Sequence, residues 1–197
     1  MATRKRRRNY QFKPDRTGTS FLKKLHLTQR QRHTLTKWSL HAAVCLLALV
    51  IQDVIMSQLK LFGTTTDLAV AAILLITVLE GSERGSLFAI IASSLYVFSG
   101  SAPGPYAIAF ITIFGVLAAL FREGVWRRGL SSTVLCAGAA MMVYEIAVFG
   151  TGIFLGLTLW RRMFVFLFTG ILSTLVMLAL YPLAFKIGSI GGEPWKE

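Results

Sequence analysis

Long apolar runs are the feature that most constrains this chain. Between residues 38 and 185 they follow one another with only short polar or glycine-rich breaks. An α-helix needs roughly 20 apolar residues to cross a bilayer, where no water is present to satisfy backbone groups. Hydrophobic residues make up 54% of the chain and charged residues only 15%, whereas soluble domains carry about a quarter charged residues. The sequence therefore predicts an all-α, multi-pass membrane protein.

The breaks between these runs predict six transmembrane helices, because glycine, proline and clustered charges interrupt helices. The second run is shortened by the polar residues 64–67, so a helix that begins there falls short of a clean span. Residues 151–160 fit either a loop or a re-entrant segment. A five-span alternative, with the second and third runs merged as a re-entrant hairpin, fits the charge pattern less well. The predicted spans are residues 38–57, 61–80, 86–98, 106–121, 130–149 and 163–185.

The basic residues are concentrated before the first run. Residues 1–37 hold 12 of the 21 lysines and arginines. Such residues accumulate on the cytoplasmic side of membrane proteins, so both termini of a six-span chain are expected in the cytoplasm. Residues 1–37 are predicted to form a partly disordered basic tail with a candidate amphipathic juxtamembrane helix. Residues 38–187 form the membrane domain, and 188–197 a short cytoplasmic tail. The side chains expected to attract anionic lipid headgroups are Arg4, Lys5, Arg6, Arg7, Arg8, Lys23, Lys24, Arg30, Arg32 and Lys37.

Besides Asp67 in the polar start of the second run, three carboxylates fall within the apolar runs. Asp53 lies late in the first run, Glu80 ends the second, and Glu145 lies in the middle of the fifth. Acids inside a membrane are costly, so each requires an explanation. One interpretation is a proton or cation pathway, or the counter-ion of a basic ligand. The other is a hydrogen bond to a neighbouring or partner helix, which is favoured for Asp53 and Glu80, while Glu145 leaves both open.

Motifs for catalysis or metal binding are absent from the sequence. It contains no G-x-S-x-G, no H-E-x-x-H and no phosphate-binding loop, and its histidines lie in or beside the basic tail. Cys45 and Cys136 form no metal-binding spacing or disulfide framework. We therefore predict no enzymatic activity, no cofactor and no metal. The basic tail beside a membrane domain is explained by topology and headgroup attraction, so nucleic acid is not expected as a partner.

One stretch of the chain, with a dipeptide in the fifth run, resembles the rod shape-determining protein MreD family. The matching features are Gln52, the turn Phe62-Gly63, Asp67-Leu68 at a helix start, the turn from Gly81 to Gly85, and the pair Tyr144-Glu145. The chain departs from the family pattern at Thr66, where a proline is usual. It departs again at residues 96–99, where an aspartate is common.

The resemblance implies a non-catalytic scaffold of the bacterial cell-elongation machinery, located in the cytoplasmic membrane. Such a protein binds the bitopic protein MreC and is coupled through it to MreB, RodA and a class-B penicillin-binding protein. In this way the scaffold helps to organise peptidoglycan synthesis. The positions expected to bind partners or act as structural polar groups are Gln52, Asp53, Phe62, Gly63, Asp67, Glu80, Gly81, Gly85, Tyr144 and Glu145.

An alternative follows from the architecture of the same family. It resembles the S-component fold of energy-coupling-factor vitamin transporters, whose members bind substrate in a polar pocket near the extracellular face. Three loops would supply that pocket here, at residues 60–67, 99–106 and 151–162, and they are mostly small and apolar. The Ala-x-x-x-Ala spacing that S components use for docking is absent from the first run. The scaffold is therefore the favoured interpretation.

Overall fold

A computed structural model of the chain describes residues 29–56, 64, 66–125 and 129–190. The predicted turn at Phe62 and Gly63 and most of the basic tail lie outside the described residues. The helices are α1 (Gln29–Ile51, extended by a π-helical turn at Gln52–Met56), α2 (Leu68–Glu80), α3 (Ser82–Phe98), α4 (Tyr106–Val125), α5 (Leu130–Phe154) and α6 (Met163–Gly188, preceded by a 3-10 turn at Trp160–Arg162).

Helix α2 is the centre of the bundle. Every residue from Leu68 to Leu79 is buried, and α2 contacts all five other α-helices. A helix that is apolar on all sides is stable only where protein or lipid surrounds it completely. Its 13 residues correspond to about 20 Å, which is shorter than the roughly 30 Å hydrocarbon core. The two ends of α2 therefore lie within the depth of the bundle, where side chains of other elements bond its terminal backbone groups.

Four helical segments are long and apolar enough to cross a membrane. They are Gln31–Val54, Tyr106–Gly124, Leu130–Phe154 and Trp160–Gly188. The fold of the described residues is thus all-helical with four candidate spans, in agreement with the predicted class of protein. Helices α2 and α3 are shorter, with 13 and 17 residues, and membrane crossing by these two helices remains a prediction.

Several element boundaries differ from the predicted ones. Helix α1 begins at Gln29, so residues 29–37 continue into the first helix rather than forming a separate juxtamembrane element. The turn between α2 and α3 is confined to Gly81, because α3 already begins at Ser82. Helix α5 extends to Phe154, into the segment for which a loop or a re-entrant piece was expected.

Successive helices run in opposite directions, so their ends meet in two groups. We call the group that contains Lys37, Glu80 and Arg122 the ionic end of the bundle. The group that contains Gln52 and the start of α2 is called the cavity end. The polar side chains that the sequence singles out within the described residues lie at or toward these two ends.

Candidate functional site

The start of α2 is closed by side chains at the cavity end. The first N–H groups of a helix have no partner within the helix. The N–H of Ala69 donates to Gln52 Oε1 at 2.7 Å, and that of Val70 donates to Asp67 Oδ1 at 3.4 Å. The N–H of Asp67 donates to the Ser173 hydroxyl at 3.0 Å. Asp67 is therefore the N-cap of α2, whose first helical residue is Leu68, and Gln52 supplies a second acceptor.

A buried tyrosine completes this network. The Tyr96 hydroxyl donates to Asp67 Oδ2 at 2.9 Å, and the Tyr96 side chain is almost fully buried. Both carboxylate oxygens of Asp67 thus accept a hydrogen bond. Tyr96 occupies the region where the MreD resemblance leads one to expect an aspartate. A hydroxyl there donates to Asp67, whereas a second carboxylate would repel it.

Beside this network lies a cavity of about 610 Å³. It opens at the loop that follows α3, where Gly100 and Pro103 are exposed, and it reaches inward to the start of α2. The described residues that line it are Gln52, Asp53, Thr66, Asp67, Tyr96, Ser99, Gly100, Ser101, Pro103, Tyr144, Glu145, Val148, Val165, Phe166 and Thr169. Three of these side chains are carboxylates and none is a lysine, arginine or histidine. The described lining therefore mixes polar and apolar side chains, and its carboxylic acids have no basic side chain beside them in the lining.

Two adjacent residues of α5 bring polar groups to this cavity that the network does not use. Glu145 is only 4% exposed, and within the described part of the chain its carboxylate accepts no hydrogen bond and pairs with no base. The charged group that acts on it is Asp67, which has the same sign. The Tyr144 hydroxyl is fully buried near that of Tyr96, outside hydrogen-bonding geometry. Both residues line the cavity, and neither polar group has a hydrogen-bond partner among the described residues.

Asp53 lies at the mouth of the cavity rather than in its interior. Its side chain is exposed and accepts a hydrogen bond from the Ser101 hydroxyl. This contact joins the π-helical turn after α1 to the loop after α3. The sequence suggested a hydrogen bond to a neighbouring helix, whereas the partner Ser101 lies in the loop between α3 and α4.

Glu80 is held by a buried ion pair at the ionic end. Lys37 Nζ lies 2.6 Å from Glu80 Oε2, and His41 Nδ1 lies 3.8 Å from Oε1. The side chains of Lys37 and Glu80 are 9% and 4% exposed. The prediction that Lys37 meets lipid headgroups is therefore wrong. The reason is that α1 begins at Gln29, eight residues before Lys37. Lys37 therefore lies two turns inside the helix, and its side chain faces the core.

The other end of α2 is closed by the last turn of α4. Arg122 is 2% exposed, and its guanidinium donates to the Leu79 carbonyl at 3.4 Å and to the Thr133 hydroxyl at 3.2 Å. The sequence placed Arg122 in a polar loop. Glu123 follows it and accepts hydrogen bonds from Ser82, at 2.9 Å from its N–H and 2.8 Å from its hydroxyl. Arginine suits a helix C-terminus because the free carbonyls carry partial negative charge.

Two glycines allow α2 and α3 to meet at this end. Gly81 has a φ of 89°, in the left-handed region that favours glycine. Gly85 lies in the first turn of α3, where a Cβ atom would collide with the backbone carbonyl of Thr77. The predicted glycine turn is thus a positive-φ residue followed by a close helix contact.

Within the described residues, no group of three or more histidine, cysteine, aspartate or glutamate side chains is arranged to hold a metal ion. Comparison of the chain with protein-family models, with curated proteins and with solved structures found no match in any of the three. The likeness to the MreD family accordingly rests on the sequence features quoted for it.

Proposed function

We propose that this chain is a non-catalytic membrane scaffold of the bacterial cell-elongation machinery, as its resemblance to the MreD family implies. The chain lies in the cytoplasmic membrane with six spans and both termini inside, and its basic tail attracts anionic lipids. It docks MreC, and through MreC it acts on MreB, RodA and a class-B penicillin-binding protein. Its contribution is to bring partner helices together during peptidoglycan synthesis.

The observation that carries this proposal is that several positions of the MreD resemblance lie at the two ends of α2 and hold it in place. Gln52 and Asp67 close one end of α2, and Gly81 and Gly85 permit the turn and the close helix contact at its other end. Each of these residues caps the central buried helix or permits the turn that follows it. Such groups build a frame of fixed shape, which is what a protein that docks others requires.

The outer surface of the bundle is consistent with docking of transmembrane helices. Helix α6 presents large apolar side chains outward, among them Phe164, Phe168 and Leu175, which are 65%, 50% and 56% exposed. In a bilayer such a face contacts either lipid or the apolar helix of another protein. A bitopic partner with one transmembrane helix therefore has an extended surface on which to pack.

Depletion of the protein in its own host tests this proposal. The scaffold function predicts that cells lose their elongated shape and stop inserting peptidoglycan along the side wall. A wild-type copy restores both, and so does a copy with Glu83→Gln, because Glu83 is exposed and lies outside both polar networks. Cells that keep their shape and growth mode after complete depletion would contradict the proposal.

The cavity favours a second candidate, the substrate-binding S component of an energy-coupling-factor vitamin transporter. The described parts of the nearby loops bring Thr66, Asp67, Ser99 and Ser101 to the cavity. Helix residues such as Gln52, Tyr96 and Glu145 add further polar groups. The cavity is therefore richer in polar groups than the loop sequences alone suggest. Under this alternative, depletion leaves cell shape unchanged and abolishes uptake of a vitamin.

A further inference from the structure

We propose that the cavity binds a small organic cation, a protonated amine, with the Glu145 carboxylate as its counter-ion and the Tyr144 hydroxyl as a hydrogen-bond partner. This inference concerns a ligand site and goes beyond docking of other proteins. It holds for the scaffold as well as for the alternative, because it depends only on the chemistry of the cavity lining.

The charge of the lining selects the sign of the ligand. Asp53, Asp67 and Glu145 line the cavity, and no basic side chain is found among its described lining residues. Electrostatic interactions are stronger away from bulk water, so the repulsion of an anion and the attraction of a cation are both enhanced there. The described lining therefore disfavours anionic ligands.

Glu145 is the carboxylate that remains for a ligand. Asp67 already accepts hydrogen bonds from Tyr96 and from the start of α2, and Asp53 accepts one from Ser101 at the mouth. Glu145 is 4% exposed and has no such bond within the described residues. A buried polar group without a partner is unfavourable, and a bound ammonium group would remove that deficit.

The neighbouring tyrosine provides independent support. The Tyr144 hydroxyl is completely buried, borders the same cavity and has no hydrogen-bond partner in the described part of the chain. Buried hydroxyls nearly always have a partner, so an unpaired one on a residue that lines a cavity points to a missing group. An ammonium group carries several N–H donors and can satisfy the carboxylate and the hydroxyl together.

Size and lining favour an organic cation over a metal ion. A volume of about 610 Å³ lies within the roughly 300–1,000 Å³ that small-molecule sites occupy. The carboxylates of the described residues are not grouped with other ligands as a metal site. Apolar side chains, including Val148, Val165 and Phe166, complete the lining. The ligand is therefore an amine that carries an apolar body.

The test uses the full chain purified in a neutral detergent and three probes with the same phenyl body. These are 2-phenylethylamine, 2-phenylethanol and 3-phenylpropanoate, which carry a cationic, a neutral and an anionic head. Calorimetric titration and the thermal unfolding midpoint report binding. We expect the amine alone to bind and to raise Tm, while the alcohol controls for uptake into detergent micelles.

Glu145→Gln removes the charge and retains the side-chain volume, so it isolates the counter-ion. We expect it to weaken amine binding by at least ~10-fold, because a charge-assisted hydrogen bond becomes a neutral one. Glu83→Gln is the matched control, since it makes the same change at an exposed site outside the cavity, and its amine affinity should equal that of the wild type. Tyr144→Phe, which removes only the buried hydroxyl, should also weaken amine binding. It is the test variant if Glu145→Gln does not fold.

Any of three results would overturn the proposal: equal effects of the three probes, no binding of the amine, or undiminished amine binding by folded Glu145→Gln.

The natural amine is either a soluble compound or the headgroup of a lipid. Nanodiscs of phosphatidylglycerol, with and without phosphatidylethanolamine, separate these two sources. Loss of 2-phenylethylamine binding when phosphatidylethanolamine is present identifies a lipid headgroup, and unchanged binding identifies a soluble amine.

Discussion

The ion pair between Lys37 and Glu80 makes a quantitative prediction about stability. Both side chains are at least nine-tenths buried, with Nζ and Oε2 separated by 2.6 Å. Lys37→Met keeps the length of the side chain but leaves the Glu80 charge in a buried position without its base. Breaking a buried pair by removing one partner costs about 3–5 kcal/mol, whereas replacing both by apolar groups is often close to neutral. Lys37→Met should therefore be strongly destabilising.

Removal of both charges should restore most of that stability. We expect the double variant Lys37→Met with Glu80→Leu to lie within about 1 kcal/mol of the wild type, since no charge is then buried alone. Unfolding by sodium dodecyl sulfate from mixed micelles, followed by far-UV circular dichroism, measures all four corners of this double-mutant cycle. If the two single losses simply add in the double variant, the pair does not act as one unit and the reasoning is refuted.

Two further predictions concern the ends of α2. Asp67→Ala removes the N-cap and leaves the Tyr96 hydroxyl without an acceptor, so it should lower the free energy of unfolding by about 2–4 kcal/mol. Asp67→Asn keeps an acceptor oxygen and should cost clearly less; equal losses would contradict the capping role. Gly85→Ala forces a Cβ against the Thr77 carbonyl and should cost about 1–3 kcal/mol. Gly124→Ala, where a Cβ meets nothing within 4 Å, is its control and should not destabilise.

Local signals in the sequence were sufficient for the helical class and for the start of one helix. Runs of apolar residues predicted the helical membrane class, and the Asp67-Leu68 step predicted where α2 begins. Gly81 was expected in a turn and has the positive φ that a turn at this point requires. These features depend on residues close together in the chain, so periodicity and capping preferences are enough to find them.

The networks at both ends of α2 could not be predicted in the same way. Lys37 was assigned to the tail and Arg122 to a loop, because a basic residue beside an apolar run usually faces water or headgroups. Both are buried instead, because a completely enclosed helix requires side-chain partners for its terminal carbonyls and for Glu80. Only the three-dimensional position of α2 reveals that requirement.

The cavity was also beyond the reach of sequence patterns. Its polar groups come from several separate helices, and each of them alone resembles an ordinary packing residue. Glu145 was left open between a ligand counter-ion and a helix contact. No neighbouring helix in the described residues offers its carboxylate a hydrogen bond, and the ligand counter-ion is the interpretation proposed above. Tyr96 was noted only as a departure from the family pattern, and no local signal marked it as the partner of Asp67.

Purification of the tagged full chain from its native membrane in a mild detergent, with mass spectrometry of the accompanying proteins, tests the central proposal most directly. The scaffold function predicts recovery of MreC together with RodA and its penicillin-binding partner, in amounts unaffected by Glu83→Gln. Recovery of paired ATPases and a transmembrane coupling subunit, with no elongation protein, would contradict the scaffold function and establish a transporter subunit instead.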